Sequence, residues 1–160
     1  MGDDQKTTED YGLPHSVLVF LDLSVALTGF DRAELLGTGL VTDYYDTLLR
    51  AIGEREGGKL LQAAEDNLAD PDDFEEFARN PRYGPVAVSI IKLWYLGSWT
   101  PLAQQWRDRY GATAYDVQHV VSAHAYQEGL VWPAAGAHPM GAKPGGYGSW
   151  AVPSSVPTHA

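Results

Sequence analysis

One nearly continuous apolar run constrains the fold of this 160-residue chain more than any other stretch. The run is "VAVSIIKLWYLGSW" at 86–99, and its one charged residue is Lys92. It is too short to cross a membrane, because a transmembrane helix needs roughly 20 residues. A helix drawn through 85–99 is apolar on nearly all sides, which is typical of a helix surrounded by other elements. We therefore predict a buried central helix here.

Helical periodicity also precedes this run. In the stretch 15–29, apolar side chains recur at helical spacing and Gly29 is a plausible end. A second helix is predicted from Asp31 to near Gly53, since Asp31 and Glu34 have the spacing of a capping box. An apolar and aromatic stripe follows this cap, at Leu36, Leu40, Tyr44 and Leu48. Gly37 and Gly39 weaken that helix, because glycine disfavours helix interiors.

The remaining helices are predicted to be short. They correspond to "GGKLLQAAEDNLAD", "PDDFEEFARN", "LAQQWRDRYG" and "TAYDVQHVVSAHAYQEGL". Asp70 caps the second of these, with Pro71 at its first position. Thr113 is the candidate cap of the last, and Gly129 its predicted end.

These patterns predict an all-α fold, a compact bundle of about five to seven helices with a long non-helical C-terminal strap. We expect a flexible N-terminal arm over 1–14, a helical domain over 15–132, and an extended strap rich in glycine and proline over 133–160.

Charge and composition narrow the classes of partner. The formal net charge is −10, so we expect no nucleic-acid partner and no direct membrane insertion. The chain has no cysteine, which excludes disulfides, thiolate nucleophiles and cysteine-ligated metals.

Motifs for catalysis are weak. "GTGLVTDY" at Gly37 lacks the third glycine and the preceding strand of a dinucleotide-binding loop. The acidic stretch 66–76 lacks the ligand spacing of an EF-hand. His119, His124 and Glu128 fall on one predicted helix, where hydrogen-bonded histidines are favoured and a metal or acid–base site is the alternative. We assign no catalytic residue, cofactor-binding residue or metal ligand.

Aromatic residues near the C-terminus favour a contact surface. Trp132, Tyr147 and Trp150 lie in a segment too rich in glycine and proline to bury them by itself. Tryptophan and tyrosine are enriched at the energetic centres of interfaces.

Three stretches, in order, resemble the small subunit of FAD-dependent sugar and polyol dehydrogenases. They are "FLDLSVALTGFDRAELLGTGLVTDYYDTLL", "SIIKLWYLGSW" and the closing "HPMGAKPGGYGSWAVP", and the resemblance spans roughly 16–153. It implies a non-catalytic subunit that stabilises or matures a flavoprotein large subunit of the glucose–methanol–choline type. The FAD would belong to that partner, and a multihaem cytochrome subunit often carries the electrons away.

The closing stretch completes the predicted contact set. With the resemblance, the partner-binding residues are Trp132, His138, Pro139, Tyr147, Trp150 and Pro153. Members of the family typically carry a twin-arginine signal, which is not visible in "MGDDQKTTEDYGLPHS". We expect a cytoplasmic location if the chain is full length and a periplasmic one if a signal was removed. A stand-alone helical enzyme and a transient folding or export chaperone are the alternative functions.

Overall fold

The computed structural model describes residues 11–139, and their fold is all-α, as predicted. Nine helical segments lie in this range: α1 His15–Thr28, α2 Arg32–Gly37, α3 Val41–Ile52, α4 Glu54–Asn67, α5 Pro71–Arg79, α6 Gly84–Leu96, α7 Gln104–Tyr110, α8 Ala123–Gln127 and α9 Val131–Ala134. Two short strands, β1 Ser98–Trp99 and β2 His119–Val120, pair antiparallel. No helix within 11–139 has the length and apolar character that a membrane crossing requires.

The helices α1 and α6 form the centre of the bundle. Helix α1 packs against α2, α3, α4 and α6, while α6 also contacts α3, α5, α9 and β1. Ile90 and Leu93 of α6 are completely buried. Val88 and Leu96 are each 50% exposed, so the prediction that α6 is buried on nearly all sides is wrong for this one face.

Local capping signals are confirmed at several helix ends. Gly29 ends α1 in the left-handed conformation, with φ of 76°. Asp31 and Glu34 form the reciprocal capping box of α2. Asp70 accepts backbone hydrogen bonds at the start of α5, where Pro71 occupies the first turn. These ends follow from residues within one helical turn, which is why sequence reasoning located them.

The single helix predicted from Asp31 to Gly53 is wrong, because the chain breaks between α2 and α3. Gly39 has φ of 72°, a left-handed conformation that interrupts a helix. The Thr38 hydroxyl donates to the Leu35 carbonyl at 2.6 Å and accepts from the Leu40 amide at 3.2 Å. This turn separates the two helices and lets Leu40 reach the core, where it is fully buried.

The helix predicted over 113–130 is also wrong, since β2 and the short α8 replace it. Asp116, which is fully buried, accepts hydrogen bonds from Trp99 Nε1 at 2.8 Å and from the Leu102 amide at 3.2 Å. Its carboxylate also lies 3.4 Å from Arg107 Nε. Ser122, rather than Thr113, caps the following helix. Contacts distant in sequence therefore draw the segment around Asp116 out of helical geometry.

The C-terminal boundary differs slightly from the prediction. Helix α9 continues to Ala134, two residues past the predicted end of the helical domain at 132. The remainder of the predicted strap beyond residue 139, and most of the predicted arm over 1–14, lie outside the described residues.

The core contains an aromatic pair with unpaired polar atoms. The rings of Tyr44 and Trp94 meet edge to face, with centroids 4.7 Å apart. Within the described chain, neither the Tyr44 hydroxyl nor Trp94 Nε1 has a hydrogen-bond partner. Burial raises the pKa of Tyr44 above its ordinary value, and the carboxylates of Asp43 and Glu128 add to this effect.

We expect Tyr44→Phe to leave the free energy of unfolding at neutral pH unchanged, or to raise it by up to about 1 kcal/mol. The substitution removes a buried hydroxyl that has no partner, and such a group costs desolvation energy. Tyr45→Phe is the matched control, because its hydroxyl donates to Ser16 Oγ at 3.1 Å. That control should lose about 1 kcal/mol. Urea unfolding monitored by fluorescence measures both.

The same variant has a distinct effect in alkali. An unfolded tyrosine ionises near pH 10.0, whereas folded Tyr44 stays protonated because its pKa is raised. The unfolded state then binds fewer protons, so stability falls as pH rises above about 10. Tyr44→Phe should reduce this fall. A loss of stability at neutral pH, or an unchanged alkaline slope, would contradict the assignment of an unpaired buried phenol.

Candidate partner-binding site

An open cavity of about 380 Å³ lies where α8 and α9 meet α2. Its walls come from two regions distant in sequence. The first contributes Phe30, Glu34 and Thr38, and the second contributes Gln127 to Leu130, Trp132, Pro133 and Ala137 to Pro139. Half of the lining residues have apolar or aromatic side chains, and Glu34 and Glu128 add two carboxylates to the wall. Glu34 Oε2 accepts the Asp31 amide at 2.8 Å, so the capping box fixes this side chain.

The segment that carries α8 and α9 packs directly on the C-terminal end of α6. At Gly97, with φ of 67°, an added Cβ would lie 2.5 Å from the Ala125 carbonyl oxygen. At Gly129, a Cβ would lie 2.8 Å from the Tyr95 carbonyl oxygen. The Leu130 amide donates to the Trp94 carbonyl at 3.0 Å. Two glycines thus permit a backbone-to-backbone contact that positions one side of the cavity.

Trp132 is held on this side by its own contacts. Its Nε1 donates to the Tyr126 carbonyl at 2.9 Å, and its ring meets the Tyr126 ring edge to face at 5.6 Å. Trp132 is partly exposed and Tyr126 is 42% exposed. The hydrogen bond of the indole N–H fixes the orientation of the Trp132 ring, and the ring is still accessible. Such a ring is suited to contact a partner.

Three of the six predicted contact residues line this one cavity. Trp132, His138 and Pro139 are all part of its wall. The Ala137 amide donates to the Trp132 carbonyl at 2.8 Å, which turns the chain back so that residues 137–139 close the cavity. The other three predicted residues, Tyr147, Trp150 and Pro153, lie outside the described residues.

The alternative metal or acid–base site at His119, His124 and Glu128 required these three residues to lie on one helix. The prediction that these residues share a helix is wrong: His119 is in β2, His124 is in α8, and Glu128 follows α8. His119 Nδ1 donates to the Val117 carbonyl at 2.8 Å, and His124 Nε2 donates to the Thr38 carbonyl at 2.6 Å. Both rings are thus hydrogen-bonded, as favoured. Among residues 11–139, no group of three histidine or acidic side chains is arranged to hold a metal ion.

Sequence reasoning missed the part of the cavity contributed by the other end of the chain. Phe30, Glu34 and Thr38 precede Trp132 by about a hundred residues. The hydrogen bond from His124 to the Thr38 carbonyl joins the two regions. A capping box marked Glu34, but no local pattern indicated that α2 faces α8 and α9.

No family model, curated protein or solved structure matches this chain. The function is therefore a proposal based on the geometry of this cavity and on the resemblance of the three sequence stretches.

Proposed function

We propose that this chain is a non-catalytic accessory subunit of a FAD-dependent sugar or alcohol dehydrogenase. It would bind and stabilise a flavoprotein large subunit of the glucose–methanol–choline type. The observation that supports this best is the cavity, since Trp132, His138 and Pro139 all line it. The aromatic closing stretch begins at this same wall, with His138 its first residue.

The packing of α6 supports the same proposal. The stretch "SIIKLWYLGSW", one of the three that carry the resemblance, contains "WYLG", which is Trp94 to Gly97 at the C-terminal end of α6. Gly97 allows close contact with Ala125, and the Trp94 carbonyl accepts the Leu130 amide. The motif therefore contacts the segment that forms the cavity. The occurrence of this motif is therefore explained by a structural role, which is to shape the binding surface.

The cavity suits an apolar or aromatic side chain of the partner. Phe30, Leu130, Trp132 and Pro133 provide an apolar lining, and a volume of about 380 Å³ accommodates one large side chain. Buried aromatic anchors of this kind carry much of the energy of an interface. Binding to the folded large subunit and not to its unfolded chain stabilises it by mass action. FAD would remain in the partner and supply the redox chemistry there.

We expect Trp132→Ala to reduce the flavoprotein that co-purifies with this chain by at least about tenfold, as for a central aromatic anchor worth some 2 kcal/mol. The experiment co-expresses the chain with a candidate large subunit from neighbouring genes. Size exclusion then records absorbance at the flavin band. Val88→Ala is the matched control, because Val88 is 50% exposed and lies outside this cavity. Trp150→Ala tests the closing stretch in the same assay.

The elution profile separates the alternatives. Stable co-elution of both chains, with flavin and activity only when both are made, supports the accessory subunit. Flavin incorporation without a stable complex would instead indicate a transient chaperone. A lone colourless chain would overturn the proposal. Thermal unfolding of Trp132→Ala must stay near wild type for its result to count, and Trp132→Phe, which keeps the ring but loses the bond to Tyr126, is the second variant.

A further inference from the structure

A second cavity, of about 280 Å³, lies between α3 and the loop that leads into β2. It is lined by Thr47, Arg50, Tyr115, Val117, His119 and Val121. Its charged or titratable side chains are a guanidinium, an imidazole and a phenol, and no carboxylate lines it. This is notable in a chain with 21 acidic residues and a net charge of −10.

Hydrogen bonds and strand pairing fix the walls of this cavity. Thr113 donates its hydroxyl to the Arg50 carbonyl and its amide to the Ala51 carbonyl, which joins the loop to the end of α3. Buried Asp116 ties the loop to Trp99. Antiparallel pairing of β1 with β2 fixes His119 opposite Trp99. The lining residues are therefore positioned without a ligand.

Arg50 is one of four described cations, with Arg55, Lys92 and Arg109, that have no carboxylate oxygen within 4.0 Å, and it is the one of the four that lines this cavity. Within the described residues, five cations have a carboxylate oxygen within 4.0 Å: Arg32, Lys59, Arg79, Arg82 and Arg107. The side chain of Arg50 forms no such pair. Its location in the last turn of α3 is favourable for a cation. The end of the helix explains why a cation is favourable at this position. It does not explain why His119 and Tyr115 line the same cavity as Arg50.

The imidazole of His119 leaves one nitrogen for a ligand. Its Nδ1 lies 2.8 Å from the Val117 carbonyl oxygen, which can only accept, so Nδ1 is the donor. Nε2 is then the acceptor nitrogen of the neutral ring, so it can accept a hydrogen bond from an N–H or O–H of a ligand but cannot donate to a carboxylate. His119 is exposed, so a ligand can reach it from solvent.

We propose that this cavity binds a monoanionic carboxylate carried on a small apolar or aromatic group. Arg50 pairs with the carboxylate, because guanidinium and carboxylate match in geometry and charge. Tyr115 can donate its hydroxyl proton to the carboxylate, and Val117, Val121 and the His119 ring contact the apolar group. The volume is slightly below the usual range of small-molecule sites, which limits the ligand to about a single ring. This site is independent of the proposed partner-binding cavity.

Neighbouring charges favour a monoanion over a phosphate. An adjoining cavity of about 240 Å³ shares Thr47, Arg50 and Val121, and its walls include Asp43 and Asp46. These two carboxylates line the cavity that shares Arg50, and they disfavour a second negative charge on a ligand there. A single carboxylate meets less of this repulsion than a dianionic phosphate.

We expect benzoate to shift the amide resonances of residues 115–121 saturably in ¹H–¹⁵N NMR, while the neutral isostere benzamide does not. Arg50→Gln should weaken benzoate binding by at least about tenfold, since it removes a charge-assisted pair. Arg50→Lys should be intermediate, because it keeps the charge and loses the bidentate fork. Arg55→Gln is the matched control, an exposed arginine of α4 outside the cavity.

A parallel titration with N-acetyl-phenylalanine distinguishes a free acid from a peptide C-terminus as the source of the carboxylate. Saturation by either acid supports the site, and the tighter one identifies the source. The proposal is overturned if neither acid saturates, if benzamide acts like benzoate, or if Arg50→Gln binds as the wild type does. None of these outcomes depends on the flavoprotein, so this test and the co-purification test can fail separately.

Discussion

Asp116→Ala is expected to lower the free energy of unfolding by about 3 kcal/mol, the lower end of the range for breaking a buried ion pair. The Asp116 carboxylate is fully buried and accepts from Trp99 Nε1 and from the Leu102 amide. Removing it leaves two buried donors without an acceptor. The lower end applies because Arg107, its ion-pair partner, is 34% exposed and can be solvated.

Thermal and urea unfolding measure this loss. A domain of this size should lose roughly 10 °C in melting temperature for such a change. Asp108→Ala is the matched control, since Asp108 is exposed and accepts a hydrogen bond from the exposed Gln104 side chain, and it should change stability by less than about 0.5 kcal/mol. Asp116→Asn retains one carbonyl oxygen and should fall between the two. Equal stability of Asp116→Ala and Asp108→Ala would show that Asp116 does not organise this region.

Gly97→Ala is expected to cost about 3 kcal/mol or more. Gly97 has φ of 67°, and an L-residue in that conformation costs roughly 1–2 kcal/mol. The new Cβ would also lie 2.5 Å from the Ala125 carbonyl oxygen, a backbone atom that cannot rotate away. Either α8 moves away from α6 or the turn changes conformation. Both responses alter the wall of the partner-binding cavity.

Gly111→Ala separates the two costs. Gly111 has φ of 79° but open space around its Cβ position, so only the conformational cost of roughly 1–2 kcal/mol applies there. The difference between the two variants measures the close contact at Ala125. Gly97→Ala should also reduce co-purification of the large subunit, whereas Gly111→Ala should not. If the two variants unfold at the same urea concentration, the close contact contributes nothing.

The two cavities depend on different anchors. The partner-binding cavity needs the close packing of α8 on α6, which Gly97 and Gly129 allow. The cavity at Arg50 needs the loop that Asp116 ties to Trp99. We therefore expect Asp116→Ala to abolish benzoate shifts at temperatures where the bundle is still folded. Gly97→Ala does not remove the Asp116–Trp99 hydrogen bond, but the Val121 amide donates to the Gly97 carbonyl at 3.0 Å, so this variant also disturbs one wall of the cavity at Arg50.

Much of the bundle could be predicted because its signals act within one or two helical turns. The cap of α5 at Asp70, the capping box at Asp31 and the end of α1 at Gly29 each involve residues at most four apart. The apolar run at 86–99 correctly indicated that α6 is central, although the face with Val88 and Leu96 is exposed. Periodicity records which side of a helix is apolar, and this is a property of the local sequence.

The failures occur where distant residues compete with local propensity. The segment 113–130 has helical spacing, yet the Asp116 carboxylate accepts hydrogen bonds from Trp99 Nε1 and the Leu102 amide. A helix over this segment would not provide these bonds. From the sequence, Gly39 only weakened the predicted helix. In the folded chain the helix breaks at Gly39, and His124 donates a hydrogen bond to the neighbouring Thr38 carbonyl. Tertiary hydrogen bonds to buried groups outweigh the small differences of helix propensity.

The candidate site shows the same division. From sequence, aromatic content and family resemblance selected Trp132, His138 and Pro139, and these three line one cavity. The sequence by itself determined the all-α class, several helix ends and the aromatic character of this region, because periodicity and capping are encoded locally. Only the tertiary structure decided that α2 faces α8 and α9, and that a buried aspartate bends the chain beside Arg50. Those arrangements depend on contacts between residues far apart in sequence, which no local pattern records.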